Sequence, residues 1–217
     1  MNTIKQPIKQ PEVVVFAGPN GSGKSTITQL LRPIGIDYIN ADDIKRTTGC
    51  TDLAAAQAAT KLREEHVAAG KPFCFETVMS TDRNLNLIQN ASEKGFFIRT
   101  YIVLTCDSAI NVSRVHGRVQ SGGHDVPVEK IISRYNRSLR LIKDVVAASH
   151  VCNIYDNSSQ YPVRFFNKKV HTCFYEENLF WNLASIQELT GIQSMQTRLL
   201  NLHNPFTKLD FASHPTT

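Results

Sequence analysis

Residues 18–25 read Gly-Pro-Asn-Gly-Ser-Gly-Lys-Ser and fit GxxxxGK[ST] at every fixed position. The flanks match what that pattern needs. Val13 to Ala17 is a continuous apolar run rich in β-branched residues, the mark of a strand buried on both faces, and Lys24 to Leu31 reads as a helix ended by Arg32-Pro33. Gly18, Gly21 and Gly23 let the backbone turn successive N–H groups inward toward a phosphate, and the new helix adds its N-terminal partial positive charge. Lys24 is placed to reach β and γ phosphates and the Ser25 hydroxyl to hold magnesium, while Pro19, Asn20, Ser22 and Thr26 complete the cradle. The loop predicts a purine nucleoside triphosphate, ATP with Mg2+. A plain glycine turn between strand and helix is the alternative.

Strands and helices alternate along the rest of the chain. Expected strands are Asp37–Asn40, Pro72–Glu76, Phe96–Leu104 and Val151–Tyr155, with Val163–Phe166 and Val170–Tyr175 as a closing hairpin. Expected helices are Ala54–Ala69, stopped by Gly70, then Asp82–Lys94, stopped by Gly95, then Ser108–Val119, a long one from Pro127 to about Ala148, and Asn178–Thr190. On the first of these, Ala55, Ala58, Ala59, Leu62 and His66 or Val67 form the apolar face, with His66 structural. This alternation implies βαβ units and an α/β P-loop NTPase or kinase fold: a mostly parallel five-stranded sheet, helices on both faces and a helical lid. The 217 residues divide into a leader (1–12), one P-loop kinase domain (13–191) with its lid at about 114–137, and a C-terminal extension (192–217).

In parallel α/β sheets chemistry collects at the carboxyl ends of strands. Asn40-Ala41-Asp42-Asp43 follows the second strand, and a carboxylate there could take a proton from an attacking hydroxyl or simply cap the next helix. Asp42, the first after the strand, is the candidate base. Glu76-Thr77 closes the third strand. A Glu ending an apolar run needs a partner if buried; facing a cleft, it could bind substrate hydroxyls or magnesium through water, with Thr77 as a second contact. The nearest thing to an acidic Walker B strand is Val103-Leu104-Thr105-Cys106-Asp107, and its weakness points away from motor and switch NTPases toward small kinases.

The formal net charge is +5, and the excess is concentrated. Between 110 and 143 stand Arg114, Arg118, Lys130, Arg134, Arg137, Arg140 and Lys143 against Asp125 and Glu129. A basic segment rather than a basic tail favours a local anion site over a nucleic-acid surface. Arg114 and Arg118 share a helix face, Arg134 begins a second pair, and Gly122-Gly123-His124-Asp125 between them is a hinge candidate. The set suits a lid that offsets charge on a transferring phosphoryl group, against the alternative of a solvated basic face. His124 could donate to a phosphate or be an exposed loop residue. Five widely spaced cysteines with no CxxC pair read as reduced thiols, and no stretch is apolar enough to cross a bilayer, so a cytoplasmic protein without a membrane partner is expected.

These motifs, in this order, resemble the zeta toxin family of P-loop kinases. The resemblance rests on Ala17 to Thr26, Ile39-Asn-Ala-Asp-Asp-Ile44, Phe75-Glu-Thr-Val-Met-Ser80, Lys94-Gly-Phe96, and Gly122-Gly-His-Asp-Val-Pro127 followed by Arg134-Tyr-Asn-Arg-Ser-Leu139, and it spans about residues 13–156. It implies a kinase that phosphorylates a sugar hydroxyl of a nucleotide-sugar such as UDP-N-acetylglucosamine, with a small antitoxin protein as partner. Asp42 matches the family's base, Glu76 and Thr77 its substrate-binding pair, and Arg114 a phosphate-binding arginine. The chain departs from the family at His124, where better-known members carry a lid arginine; Arg118 or Arg134 would take over that role. The other readings are a nucleoside, nucleotide or polynucleotide-end kinase, and a nucleotide-binding regulatory module, which needs neither Asp42 nor Glu76.

Overall fold

A computed structural model describes residues 10–122 and 125–197; most of the leader, His124 and most of the C-terminal extension lie outside the described residues. The elements run β1 (Glu12–Ala17), α1 (Lys24–Leu31), β2 (Asp37–Tyr38), α2 (Ala41–Thr48), α3 (Asp52–Ala68), β3 (Phe73–Thr77), α4 (Asp82–Glu93), β4 (Phe97–Leu104), α5 (Ser108–Gln120), α6 (Val128–Ala148), β5 (Val151–Asp156), β6 (Val163–Lys169), β7 (Thr172–Tyr175), α7 (Leu183–Thr190) and β8 (Gln196–Thr197).

One sheet holds all eight strands in the order β2-β3-β1-β4-β5-β6-β7-β8. The first five in that order are mutually parallel, which is the expected parallel core. The β6–β7 hairpin continues it antiparallel, and β8 pairs parallel with β7. β1 is central, paired on one side with β3 and on the other with β4. Its apolar run serves two faces at once. Val13 and Val15 point into the main core with Ala59 and Val67 of α3, Ile88 of α4 and Val145 of α6, while Val14 and Phe16 pack against Ile27 of α1 with Cys74 and Val103. Side chains alternate across a strand, so an unbroken apolar run is what burial on both faces demands. Each such Val or Phe contributes roughly 1.5–3 kcal/mol.

Several local readings are revised. β2 is only two residues long, and Asn40 is not strand but the N-cap of α2, a helix the sequence reading did not contain: its side-chain oxygen accepts from the Asp42 N–H. α3 starts at Asp52, capped by Thr51, and its buried face is Ala55, Ala59, Arg63 and Val67, while Leu62 is exposed. An arginine thus occupies a core position of that helix. Asp107, the candidate Walker B acid, accepts the Ala109 N–H as the N-cap of α5. His66 is structural as expected, its imidazole 2.8 Å from Asp37. The five cysteines are free.

Candidate active site

The loop between β1 and α1 is held open from behind. Gly21 and Gly23 have φ of 78° and 89°, left-handed values that glycine adopts freely. A Cβ at Gly21 would stand 2.4 Å from the Asn111 carbonyl oxygen, and one at Gly23 2.3 Å from the Asn157 amide nitrogen. Those two asparagines fasten the loop: the Asn111 amide donates to the Asn20 carbonyl at 2.6 Å and the Asn157 amide to the Ser22 carbonyl at 2.8 Å.

Gly18 has a different part from the one expected of it. Its N–H donates to the Thr77 carbonyl at 3.1 Å, so that amide is spent on β3 and does not face a phosphate. Gly18 is required by space instead: a Cβ there would stand 2.3 Å from the Val103 carbonyl oxygen and 2.7 Å from the Ser22 hydroxyl. The Ser22 N–H is likewise turned back, onto the Pro19 carbonyl at 3.2 Å, and Thr26 is exposed and does not line the cavity that holds Lys24 and Ser25. Of the loop residues, Asn20, Lys24 and Ser25 line that cavity, and the Gly18 and Ser22 amides are bonded within the protein.

The Ser22 hydroxyl is buried with no hydrogen-bond partner, and the Lys24 ammonium makes no hydrogen bond among the described residues. Burial lowers the Lys24 pKa; Glu76 and Asp42 oppose that shift while Arg118 and Arg134 add to it. A loop with an orphaned buried hydroxyl, an unbonded ammonium and a helix N-terminus fits a phosphate chain.

Beyond the loop a polar chain crosses the cleft. The Ser25 hydroxyl donates to one Glu76 oxygen at 2.9 Å and the Tyr38 hydroxyl to the other at 3.1 Å; Tyr38 in turn accepts from the Asn40 amide at 3.0 Å. Burial and the neighbouring Glu76 raise the Tyr38 pKa, so this hydroxyl stays protonated as a donor. Asn40 supplies the helix cap, which leaves the Asp42 carboxylate free of that duty: it accepts no hydrogen bond among the described residues. The adjacent Asp43 is ion-paired with Arg46. Thr77 is 9% exposed and its hydroxyl accepts from the Met79 N–H and the Asn84 amide, so it also shapes the β3–α4 turn, where Met79 takes φ of 52°.

Lys24, Ser25, Asp42, Glu76, Thr77, Arg118 and Arg134 line one cavity of about 660 Å3, and Arg134 also donates to the Asn20 side chain at 3.3 Å. The catalytic and substrate-binding candidates therefore converge, with one exception. Arg114 does not line this cavity and donates to the Ser159 carbonyl at 3.4 Å, so it and Arg118 do not act on the same space. A second cavity of about 460 Å3 adjoins the first and shares Asp42, Arg63, Glu76, Thr77 and Arg134 with it; Ser80, Thr81, Arg83 and Asn84 extend it. A more open groove of about 670 Å3 between α5 and α6 contains no P-loop residue and no carboxylate.

Four contributors were not singled out from the sequence. Tyr38, Asn111 and Asn157 act through partners 38 to 135 positions away, and no local pattern marks them. Arg63 had a signal: it follows Ala55 and Ala59 at four-residue spacing and precedes Val67, an arginine on an apolar stripe.

No family model matches the sequence. An uncharacterized protein of Haemophilus influenzae is 26% identical over 133 residues, covering 59% of this chain and 95% of that relative. Among solved structures, one from the PezAT chromosomal toxin-antitoxin system of Streptococcus pneumoniae superposes with a TM-score of 0.58 at 17% identity, covering 89% of this chain and 84% of the other. The AvrRxo1-ORF1:-ORF2 complex with ATP gives 0.62 at 14% identity, covering 83% of this chain and 63% of its counterpart. At these identities the likeness is one of fold. The chain shares the α/β fold of these structures, a largely parallel sheet with a P-loop after its central strand.

Proposed function

We propose that this chain is an ATP-dependent kinase that transfers the γ-phosphoryl group to a hydroxyl of an anionic small molecule. The observation that supports this best is the Asp42 carboxylate, unspent on capping or hydrogen bonding, in one cavity with Lys24 and Ser25. A module that only bound nucleotide would have no use for a free carboxylate there.

In this reading the P-loop and Lys24 hold the triphosphate, and the Ser25 hydroxyl helps hold the metal. Mg2+, bound with ATP, would be held in part by the Ser25 hydroxyl and would supply positive charge that offsets the phosphates. Glu76 orients the acceptor, Thr77 fixes the turn that carries Glu76's side of the cleft, and Asp42 takes the proton of the attacking hydroxyl. The acceptor oxygen forms a bond to the γ phosphorus, the bond from that phosphorus to the β-bridging oxygen breaks, and ADP leaves with the electron pair. Arg118 and Arg134 offset charge on the moving group from a lid over about 114–137, while Arg114 donates to the Ser159 carbonyl outside their cavity. The motif resemblance supports a nucleotide-sugar such as UDP-N-acetylglucosamine as acceptor. A small antitoxin protein as partner is supported by the same resemblance and by the fold shared with a toxin-antitoxin component.

The test is incubation with γ-labelled ATP, magnesium and a fractionated metabolite extract, with the labelled product identified by mass spectrometry. Label moving to a metabolite hydroxyl, and lost with Asp42→Asn, is the expected result. Hydrolysis alone, unaffected by Asp42→Asn, would leave a nucleotide-binding module.

A further inference from the structure

Arg63 is 7% exposed, yet it stands at the wall between the two adjoining cavities. Its guanidinium donates to the Ile39 carbonyl at 3.0 Å and weakly to the Asn84 side chain at 3.4 Å, and it lies 4.3 Å above the Phe75 ring. Its Nε has no hydrogen-bond partner among the described residues. Among the described residues no carboxylate pairs with it: the five ion pairs involve Lys45, Arg46, Lys61, His66 and Arg99. Burial pulls its pKa down to about 10, still well above neutrality, so the side chain is a buried cation at physiological pH.

A buried charge is normally paired, because taking an ion out of water costs several kcal/mol. A backbone carbonyl, an amide oxygen and a ring face offset part of that cost and leave the net charge uncancelled. A core that needed only to satisfy the Ile39 carbonyl could do so with a neutral donor. The side chain with this uncancelled charge lines both cavities, and in the one farther from the P-loop Arg83, exposed in the first turn of α4, and the hydroxyl residues Ser80 and Thr81 join it. The α3 wall there is built from small side chains, Ala55, Ala56, Ala59 and Thr60, which leave room beside the arginines.

We propose that Arg63, assisted by Arg83, forms a second anion subsite that is separate from the P-loop and holds a phosphoryl group which the acceptor already carries. Arg63 is then the residue that sets acceptor specificity: the donor phosphates lie on Lys24, the reacting hydroxyl faces Asp42, and the acceptor's own phosphate neutralises the buried guanidinium. A neutral polyol or sugar of the same shape would leave that cation unpaired and bind poorly. This rests on the kinase reading above for its purpose but not for its test.

The probe is inorganic pyrophosphate, titrated by calorimetry into full-length protein whose P-loop is saturated with the non-hydrolysable ATP analogue AMP-PNP and magnesium. One further equivalent of pyrophosphate should bind. Arg63→Met should weaken it at least tenfold, Arg63→Lys less, and Arg83→Ala several-fold, while AMP-PNP affinity stays unchanged in all three. Should Arg63→Met fail to fold, Arg63→Lys and Arg83→Ala decide. Equal pyrophosphate affinity in wild type and the folded variants, or no second equivalent in wild type, overturns the subsite. The two readings fail separately: pyrophosphate bound through Arg63 without phosphoryl transfer to any metabolite would sink the kinase and keep the subsite. Transfer at an unchanged acceptor KM in Arg63→Met would do the reverse.

Discussion

Asp42 and Asp43 are neighbours of identical chemistry, and their surroundings separate them. Asp43 is held by Arg46, whereas Asp42 lines the cavity with its carboxylate unbonded among the described residues. Asp42→Asn keeps size and helix start, since Asn40 is the cap, so stability should hardly change; transfer to the acceptor should fall by about two to four powers of ten, while Asp43→Asn stays near wild type. A transfer assay run beside thermal melting checks both. Lys24 gives a prediction of opposite sign for binding and stability. Its ammonium makes no hydrogen bond among the described residues and has its pKa lowered chiefly by burial. Lys24→Ala should therefore leave the melting temperature of the nucleotide-free protein level or raise it. ATP affinity should drop by roughly 1.5–3 kcal/mol, about ten- to hundredfold in Kd, because a charge-assisted contact to phosphate is lost. Calorimetry with ATP and a melting curve without it test the two halves.

Among the elements, α6 does most to assemble the cleft. Over little more than one turn it sends Arg134 to Asn20 of the P-loop, the Tyr135 hydroxyl to the Thr105 carbonyl at 2.7 Å, and the Ser138 hydroxyl to the Val78 carbonyl at 2.7 Å. Three loops at strand carboxyl ends are thus tied to one rigid helix. Ser138 is 2% exposed, and Ser138→Ala would leave the Val78 carbonyl without that donor, costing about 1 kcal/mol. For a chain of this length that is a fall of roughly 2–4 °C in Tm, with acceptor KM rising because Val78 lines both cavities. Scanning calorimetry and steady-state kinetics on the variant test it; an unchanged Tm would show the bond to be worth nothing. The periodic pattern of α6 made this helix readable from sequence, as local chemistry made the P-loop readable. Within that loop the pattern named Gly18 but not its task, since the Val103 carbonyl that crowds it belongs to a strand far along the chain. α2 was not readable. It has eight residues, none buried, so it has no apolar stripe, and only the Asn40 cap and the left-handed Gly49 mark its ends. α3 was readable as a helix and in most of its facing, since Ala55, Ala59 and Val67 are buried as expected, but Leu62 looks like a core residue until packing puts Arg63 there instead. Asn111 and Asn157 could not have been found, because what they fasten is set by the fold and not by their neighbours in sequence.

For the molecule as a whole, the parallel core and its antiparallel extension meet at one titratable residue. His150, just before β5, accepts the Ile98 N–H of β4 on its Nδ1 at 3.0 Å, stacks on Phe97 with ring centroids 5.0 Å apart, and takes the Val170 N–H from the β6–β7 turn on its carbonyl at 2.7 Å. An Nδ1 that accepts must be unprotonated, so this arrangement selects neutral imidazole. Burial, helped by the nearby Lys168 charge, lowers its pKa below the ordinary 6.5. The sign follows: between the folded pKa and 6.5 the unfolded chain binds a proton that the folded chain does not. Stability should therefore be intact above 6.5, decline as pH falls through that window, and level off once the folded pKa is passed. Replacing the ring with an uncharged acceptor, His150→Gln, removes the titration, so the variant should be less stable than wild type at about pH 7.5 and show a shallower decline down to about pH 5.5. Urea denaturation of both proteins at those two pH values makes the comparison. A decline of the same size in the variant would assign the pH dependence to other groups and leave His150 a stacking residue only.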